Sequence, residues 1–198
     1  ASGYAYCCDA LHQRAIEEIC RLKKIDPKKK ALSIACASLS QVSEYCKMND
    51  RAFKFIKDHE VNYTFILPAS GALPRVFKQR REVGVRLAQH PIGRLLAEHL
   101  GNPLITSSLP IEDEDEPEYC TNPELIDERY GNAVYTILDA GDIPLAPSTI
   151  VDCTRERPVV LRHGALAEDE VWQKITAHTG SDELDITDMI EAFAEKVD

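Results

Sequence analysis

The chain has 198 residues, with 44% hydrophobic and 28% charged side chains, which is about one domain of ordinary globular composition. That composition excludes collagen-like, low-complexity and wholly disordered chains, and no apolar run approaches the about 18 residues of a membrane span. The net charge of −10 argues against broad non-specific nucleic-acid binding, and the first six residues show no basic, apolar leader pattern.

The charge is unevenly placed. Residues 1–110 carry 17 basic and 10 acidic side chains, residues 111–164 carry 4 and 13, and residues 165–198 carry 2 and 10. Two basic clusters stand out, Arg21 to Lys30 and Arg75 to Arg86. Each alone reads as a solvated face; together they suggest a local anion site. The seven cysteines form no CxxC pair, so reduced, mostly buried thiols and a cytoplasmic setting are expected.

In chain order, Asp9 is expected to cap a helix running to Leu22, followed by a lysine-rich loop over 23–30. Residues 31–36 read as a buried strand. Ser38 and Gln41 form a capping-box pattern for a short helix, and Asn49 starts another with Phe53 and Ile56 inward. Residues 62–67 read as a strand stopped by Pro68, and Pro74 opens a short helix. Residues 83–87 form a strand carrying Arg86. Pro91 to Leu100 is a helix ended by Gly101, with His90 and His99 in or beside packing contacts. Residues 104–108 form a strand. The run Glu112–Glu118, six carboxylates in seven positions, is expected to be a mobile surface loop. A helix over 123–130, a strand over 133–138 and strands over 148–153 and 159–161 follow. Two acidic amphipathic helices are expected after residue 168. The fold class is α/β (α+β), a mixed parallel and antiparallel sheet flanked by helices. Residues 1–165 are expected to form one domain and 166–198 a helical extension.

Phosphate-loop, dinucleotide, zinc-protease and nucleophile-elbow motifs are absent, and the histidines lack metal-ligand spacing. Polar residues at strand ends are more informative, because ligands often bind there. Thr106-Ser107-Ser108 closes one strand and Ser148-Thr149 opens another. Arg86 interrupts an apolar strand and Arg162 follows one. A buried arginine needs a partner, either an internal carboxylate or a ligand. The two arginines, the serine-rich strand end and the lysine loop together favour a ligand bearing phosphate and carboxylate.

An ordered set of segments resembles the YrdC/YciO family. Ser2-Gly-Tyr with Cys8-Asp9 is similar to its start, and Leu22-Lys23-Lys24-Ile25 through Lys29 to its lysine–arginine loop. Tyr63-Thr-Phe-Ile66, Val83-Gly-Val-Arg86, His90-Pro91 and Pro103 to Ser108 match further family segments. Ser148-Thr-Ile-Val-Asp152 and Leu161-Arg162-His163-Gly164 match the last two. The resemblance covers about residues 1–165 and implies a twisted sheet with a concave ligand pocket. It also implies that the chain starts inside the family's first strand, with a preceding helix missing.

For function, the resemblance implies threonylcarbamoyl-AMP synthesis, a nucleotidyltransferase reaction of tRNA modification. Bicarbonate and threonine give a carbamate whose oxygen attacks the ATP α-phosphate and expels pyrophosphate. Threonine would be held by Ser2, Arg86, Thr106 and Ser148. ATP or AMP would be held by Lys23, Lys29, Ser108 and Arg162, with Mg2+ carried by the nucleotide and no protein-bound metal. Lys23 and Ser108 would be the catalytic pair. In the family's catalytic-type members an arginine stands where this chain has Ile25, and an asparagine where it has Pro110. That half-lost tetrad resembles the YciO branch and implies weakened or altered activity. The alternative is a double-stranded RNA-binding or non-catalytic nucleotide-binding protein. No membrane partner is expected.

Overall fold

The computed structural model describes residues 3–27, 32–59, 62–78, 81–111 and 116–165. Among these residues, seven strands form one sheet in the order β1-β5-β2-β4-β3-β6-β7. The strands are β1 (Ala5–Asp9), β2 (Ser33–Cys36), β3 (Tyr63–Pro68), β4 (Glu82–Leu87), β5 (Leu104–Ser108), β6 (Thr149–Asp152) and β7 (Val159–Arg162). β2 with β4 and β3 with β6 are parallel pairs; the other four are antiparallel. The sheet is therefore mixed, as the interleaving of strands and helices predicts. Among the described residues, no helix is long and apolar enough to cross a membrane.

Among the described residues, six α-helices accompany it: α1 (Gln13–Leu22), α2 (Leu39–Tyr45), α3 (Asp50–Asp58), α4 (Arg75–Lys78), α5 (Pro91–Leu100) and α6 (Pro123–Tyr130). Alternation along the strands divides the sheet into two faces. One face carries Ile34, Phe65, Val85 and Ile105, all fully buried. Ile16 of α1, Val42 of α2 and Phe55 and Ile56 of α3 join them in one core. The Phe55 and Phe65 rings meet edge to face at 6.0 Å, a preferred aromatic geometry. The other face carries Ser33, Gly84, Arg86 and Thr106. It is covered only in part, with Ala35, Ala97 and Leu104 buried where α5 contacts β2.

The helix starts follow local chemistry. Ser38 Oγ accepts from the Gln41 N–H, and Asn49 Oδ1 accepts from the Ala52 N–H. The Gln41 side chain reaches back to the Ala37 N–H, 2.8 Å away, one residue beyond its expected capping-box partner. Gly101 ends α5 at φ +73°, the left-handed cap position glycine tolerates best.

Several expectations are corrected. Asp9 ends β1, and α1 is capped by His12, whose Nδ1 accepts from the Ala15 N–H. The Asp9 carboxylate instead holds the Leu11 N–H at 2.8 Å, tightening the turn. In α3 the inward ring is Phe55; Phe53 is exposed. His90 and His99 are both exposed, and the leucines at 95, 96 and 100 are exposed too, because α5 turns Ala97 inward. Residues 133–138 form no strand. Val134 and Ile137 pack on the core while Tyr135 is wholly exposed. Inward residues three apart do not share a strand face, whatever their β propensity. α6 itself ends at Tyr130, as its span predicts, with Gly131 at its C-cap and a 3-10 turn following to Ala133. Of the acidic run, residues 112–115 lie outside the described residues, and Pro117 opens another 3-10 turn. The expected acidic helices after 168 also lie outside them.

Candidate functional site

The half-covered sheet face holds the site. Register places its side chains in a row: Cys7 opposite Thr106, Thr106 opposite Ser33, and Ser33 beside Gly84. Thr64 pairs with Ile150, and Ile150 with Arg162. Arg86 pairs with Ala35 on the same side. Both strand arginines therefore rise from one face.

They meet at Ser148, the residue just before β6. Arg86 Nη2 donates to Ser148 Oγ at 2.6 Å, and Arg162 Nη2 donates to the Ser148 carbonyl at 2.9 Å. Arg86 Nε donates to Thr64 Oγ1 at 2.7 Å, and the Thr64 and Ser148 hydroxyls lie 2.8 Å apart. Burial, and after it the nearby Arg162 charge, lower the Arg86 pKa from the usual guanidinium value. Two cations drawn together, Arg86 half-buried and Arg162 exposed, form an attractor for an anion.

Arg86, Thr106 and Ser148 line one cavity of about 170 Å³, together with Tyr63, His90 and Gly93. Arg162 stands behind Ser148 and is not part of that lining. Thr106 Oγ1 is buried and has no hydrogen-bond partner among the described residues, an orphan group of the kind a ligand satisfies. His90 Nδ1 accepts from the Ile92 N–H at 3.3 Å, so the imidazole caps α5 while lining the cavity. The start of α5 thus adds its dipole to the positive side of the site.

Lys23 and Ser108 are also brought together. Lys23 sits at the end of α1, where Lys24 adopts φ +53° and the Ile25 N–H bonds back to the Cys20 carbonyl. That turn sends the Lys23 ammonium to the Ser108 carbonyl at the end of β5. Ser108 pairs with Ala5, which itself lines the Arg86 cavity, so the two clusters adjoin. Ile25 packs against the core, and the Pro110 carbonyl accepts from the Cys120 thiol at 3.2 Å. Neither offers a side-chain donor to the site.

Ser2 and Lys29 lie outside the described residues. Sequence reasoning missed Thr64 as a site residue. Its signal was a hydroxyl in the apolar run Tyr63-Thr64-Phe65, at the strand position alternating away from the core. It also missed the cavity-lining place of His90. Among the described residues, no group of three or more His, Cys, Asp or Glu side chains could hold a metal ion.

The family model covering Sua5, YciO and YrdC, described as "Telomere recombination", matches residues 1–164. The chain belongs to the Sua5/YciO/YrdC family. YciO of Escherichia coli K12, itself described as uncharacterized, is 34% identical over 166 residues, 82% of this chain and 79% of that one. The crystal structure of E. coli YciO matches with a TM-score of 0.73, covering 84% of this chain and 81% of that one. Sua5 of P. abyssi, solved in complex with L-threonine, matches with a TM-score of 0.75 and 26% identity. That match covers 88% of this chain and 51% of the larger Sua5 chain. A threonylcarbamoyl-AMP synthase of Vibrio vulnificus is 28% identical over 164 residues, 79% of this chain and 84% of that one. As a Sua5/YciO/YrdC member, the chain is homologous to enzymes of that activity, and its α/β fold is theirs.

Proposed function

We propose that this protein binds L-threonine and ATP and forms threonylcarbamoyl-AMP from them with bicarbonate, at a rate weakened by its altered tetrad. The supporting observation is the Arg86–Thr64–Ser148 cluster on a cavity of about 170 Å³. That is below the about 300–1,000 Å³ of pockets for drug-sized ligands and suits one small amino acid. A guanidinium with two hydroxyls at its floor is chemistry for a carboxylate. Its relative Sua5 was solved with L-threonine.

The nucleotide falls to the adjoining cluster. Lys23 and Ser108 at the end of β5, with Lys29 and Arg162, hold the phosphates; Mg2+ arrives with ATP. The threonine amine adds to the carbon of bicarbonate with loss of water, and the resulting carbamate oxygen then displaces pyrophosphate from the α-phosphorus of ATP. Such a reaction needs alignment and fixed positive charge rather than covalent help from the protein. With Ile25 and Pro110 in place of an arginine and an asparagine, ground-state binding survives better than turnover.

The test is pyrophosphate release from ATP, with and without threonine and bicarbonate, read beside calorimetry with ATP and with threonine. Binding of both ligands with slow, threonine-dependent release supports the reading. Binding without release makes the chain a non-catalytic ligand-binding member. Failure to bind either ligand discards the proposal.

A further inference from the structure

We infer that Thr64 is a positioning residue that fixes the Ser148 hydroxyl as a donor into the cavity, so that Ser148 takes an acceptor oxygen of the ligand. The amino-acid reading above supplies only the identity of that ligand. The argument is a count of protons. Arg86 can only donate. Thr64 Oγ1 therefore accepts from Arg86 Nε at 2.7 Å, and Ser148 Oγ accepts from Arg86 Nη2 at 2.6 Å. One contact remains, the 2.8 Å between the two hydroxyls, where either oxygen has the geometry to donate.

The surroundings decide its direction. Thr64 is 5% exposed and does not line the cavity; Ser148 is 2% exposed and does. Were Ser148 to donate to Thr64, the Thr64 hydrogen would be buried with no acceptor among the described residues, a costly arrangement. With Thr64 donating to Ser148, every buried hydrogen of the pair has a partner except the Ser148 hydrogen, which faces the cavity. Both lone pairs of Ser148 Oγ are then occupied, by Arg86 and by Thr64. Ser148 can only donate to a ligand, so it accommodates a carboxylate oxygen and rejects an ammonium or hydroxyl hydrogen at that point. Thr106 Oγ1, buried in the same cavity without a partner among the described residues, keeps both roles available for the rest of the ligand. Thr64 acts through Ser148 and touches no ligand itself.

Two measurements test this. In the ligand-free protein, proton NMR should show a Thr64 hydroxyl proton protected from solvent exchange and close to the Ser148 methylene, with the Ser148 hydroxyl proton in exchange with water. A protected Ser148 proton, or no protected proton at Thr64, overturns the inference. Calorimetry with L-threonine is the second. Thr64→Val should weaken binding about tenfold, the scale of one hydrogen bond to an ionised group. Thr64→Ser should restore it to within about threefold. In a Ser148→Ala background, Thr64→Val should cost clearly less than it does alone, since only its contact with Arg86 Nε is left to lose; full additivity would make Thr64 merely structural and defeat the proposal. If the unmodified chain takes up no threonine, the amino-acid reading fails and the NMR measurement alone judges Thr64. If melting shows Thr64→Val unfolded, Thr64→Ser and the NMR measurement decide.

Discussion

At the scale of single residues, Gly164 holds the site in shape by being small. A Cβ there would lie 2.3 Å from the Pro147 carbonyl oxygen and 2.4 Å from backbone atoms of Ser148 and Thr149. Its N–H bonds Thr149 Oγ1 at 3.2 Å, and the next N–H bonds the Pro147 carbonyl at 2.8 Å. The backbone has no flexible end to swing aside, so Gly164→Ala must push Ser148 out of place. We expect a loss of about 1–3 kcal/mol from overpacking, read by denaturant unfolding. Threonine binding should fall further than stability alone explains. A second residue-scale prediction concerns the altered tetrad. Ile25→Arg with Pro110→Asn should raise pyrophosphate release up to about 100-fold with little change in ATP affinity. Because Ile25 packs on the core, Ile25→Arg alone should also lower the melting temperature; an unchanged melt would show that its packing contributes nothing.

At the scale of elements, caps and turns set where each side chain arrives. α2 starts at Ser38, whose hydroxyl holds the Gln41 N–H at 3.2 Å, and Val42 of that helix lies in the core under the site's sheet. Ser38→Ala should cost about 1 kcal/mol, seen as a drop in the urea midpoint with an unchanged slope. α1 and α5 matter differently, since their ends deliver Lys23 and His90 to the site. β6 is short, but its partnership with β3 and β7 brings Ser148 between the two arginines.

At the scale of the whole molecule, the cysteines make stability depend on alkaline pH. Burial is the first cause at each. It pushes Cys46 up to about 12 from an ordinary value of 9.0, and Cys8 likewise to about 12 with help from Cys7, Asp9 and Cys20. Cys36 and Cys153 are pushed up as well, by burial first. A raised thiol pKa means that the folded chain holds protons the unfolded chain would release. That contribution is complete below about pH 9 and is lost as pH climbs toward 12. The melting temperature should therefore fall between about pH 9 and pH 10.5, under reducing conditions, more steeply than between about pH 7 and pH 9. A flat profile across the upper interval would contradict the burial of these thiols.

The sequence by itself determined strands β2 to β7, because alternation and apolar runs are local signals that survive without knowledge of neighbours; β1 was not read from its pattern, and the strand expected over 133–138 does not form. β3, β4 and β5 carry those signals plainly, and the caps at Ser38, Asn49 and Gly101 are equally local. It also singled out Arg86, Thr106, Ser148 and Arg162, since polar groups at the ends or in the midst of apolar strands need partners. Only the tertiary structure decided which of these meet. Arg86 and Arg162 lie 76 positions apart in the chain, and it is the order β4-β3-β6-β7 that sets them on one face around Ser148. Tertiary packing also overrode propensity at 133–138, where no ladder partner was at hand, and at α3, where Phe55 rather than Phe53 faces the sheet. Thr64 became a site residue only through register. A threonine in a strand is ordinary by composition; its meaning comes from the arginine across from it and the serine beside it, and those are long-range neighbours that no local pattern encodes.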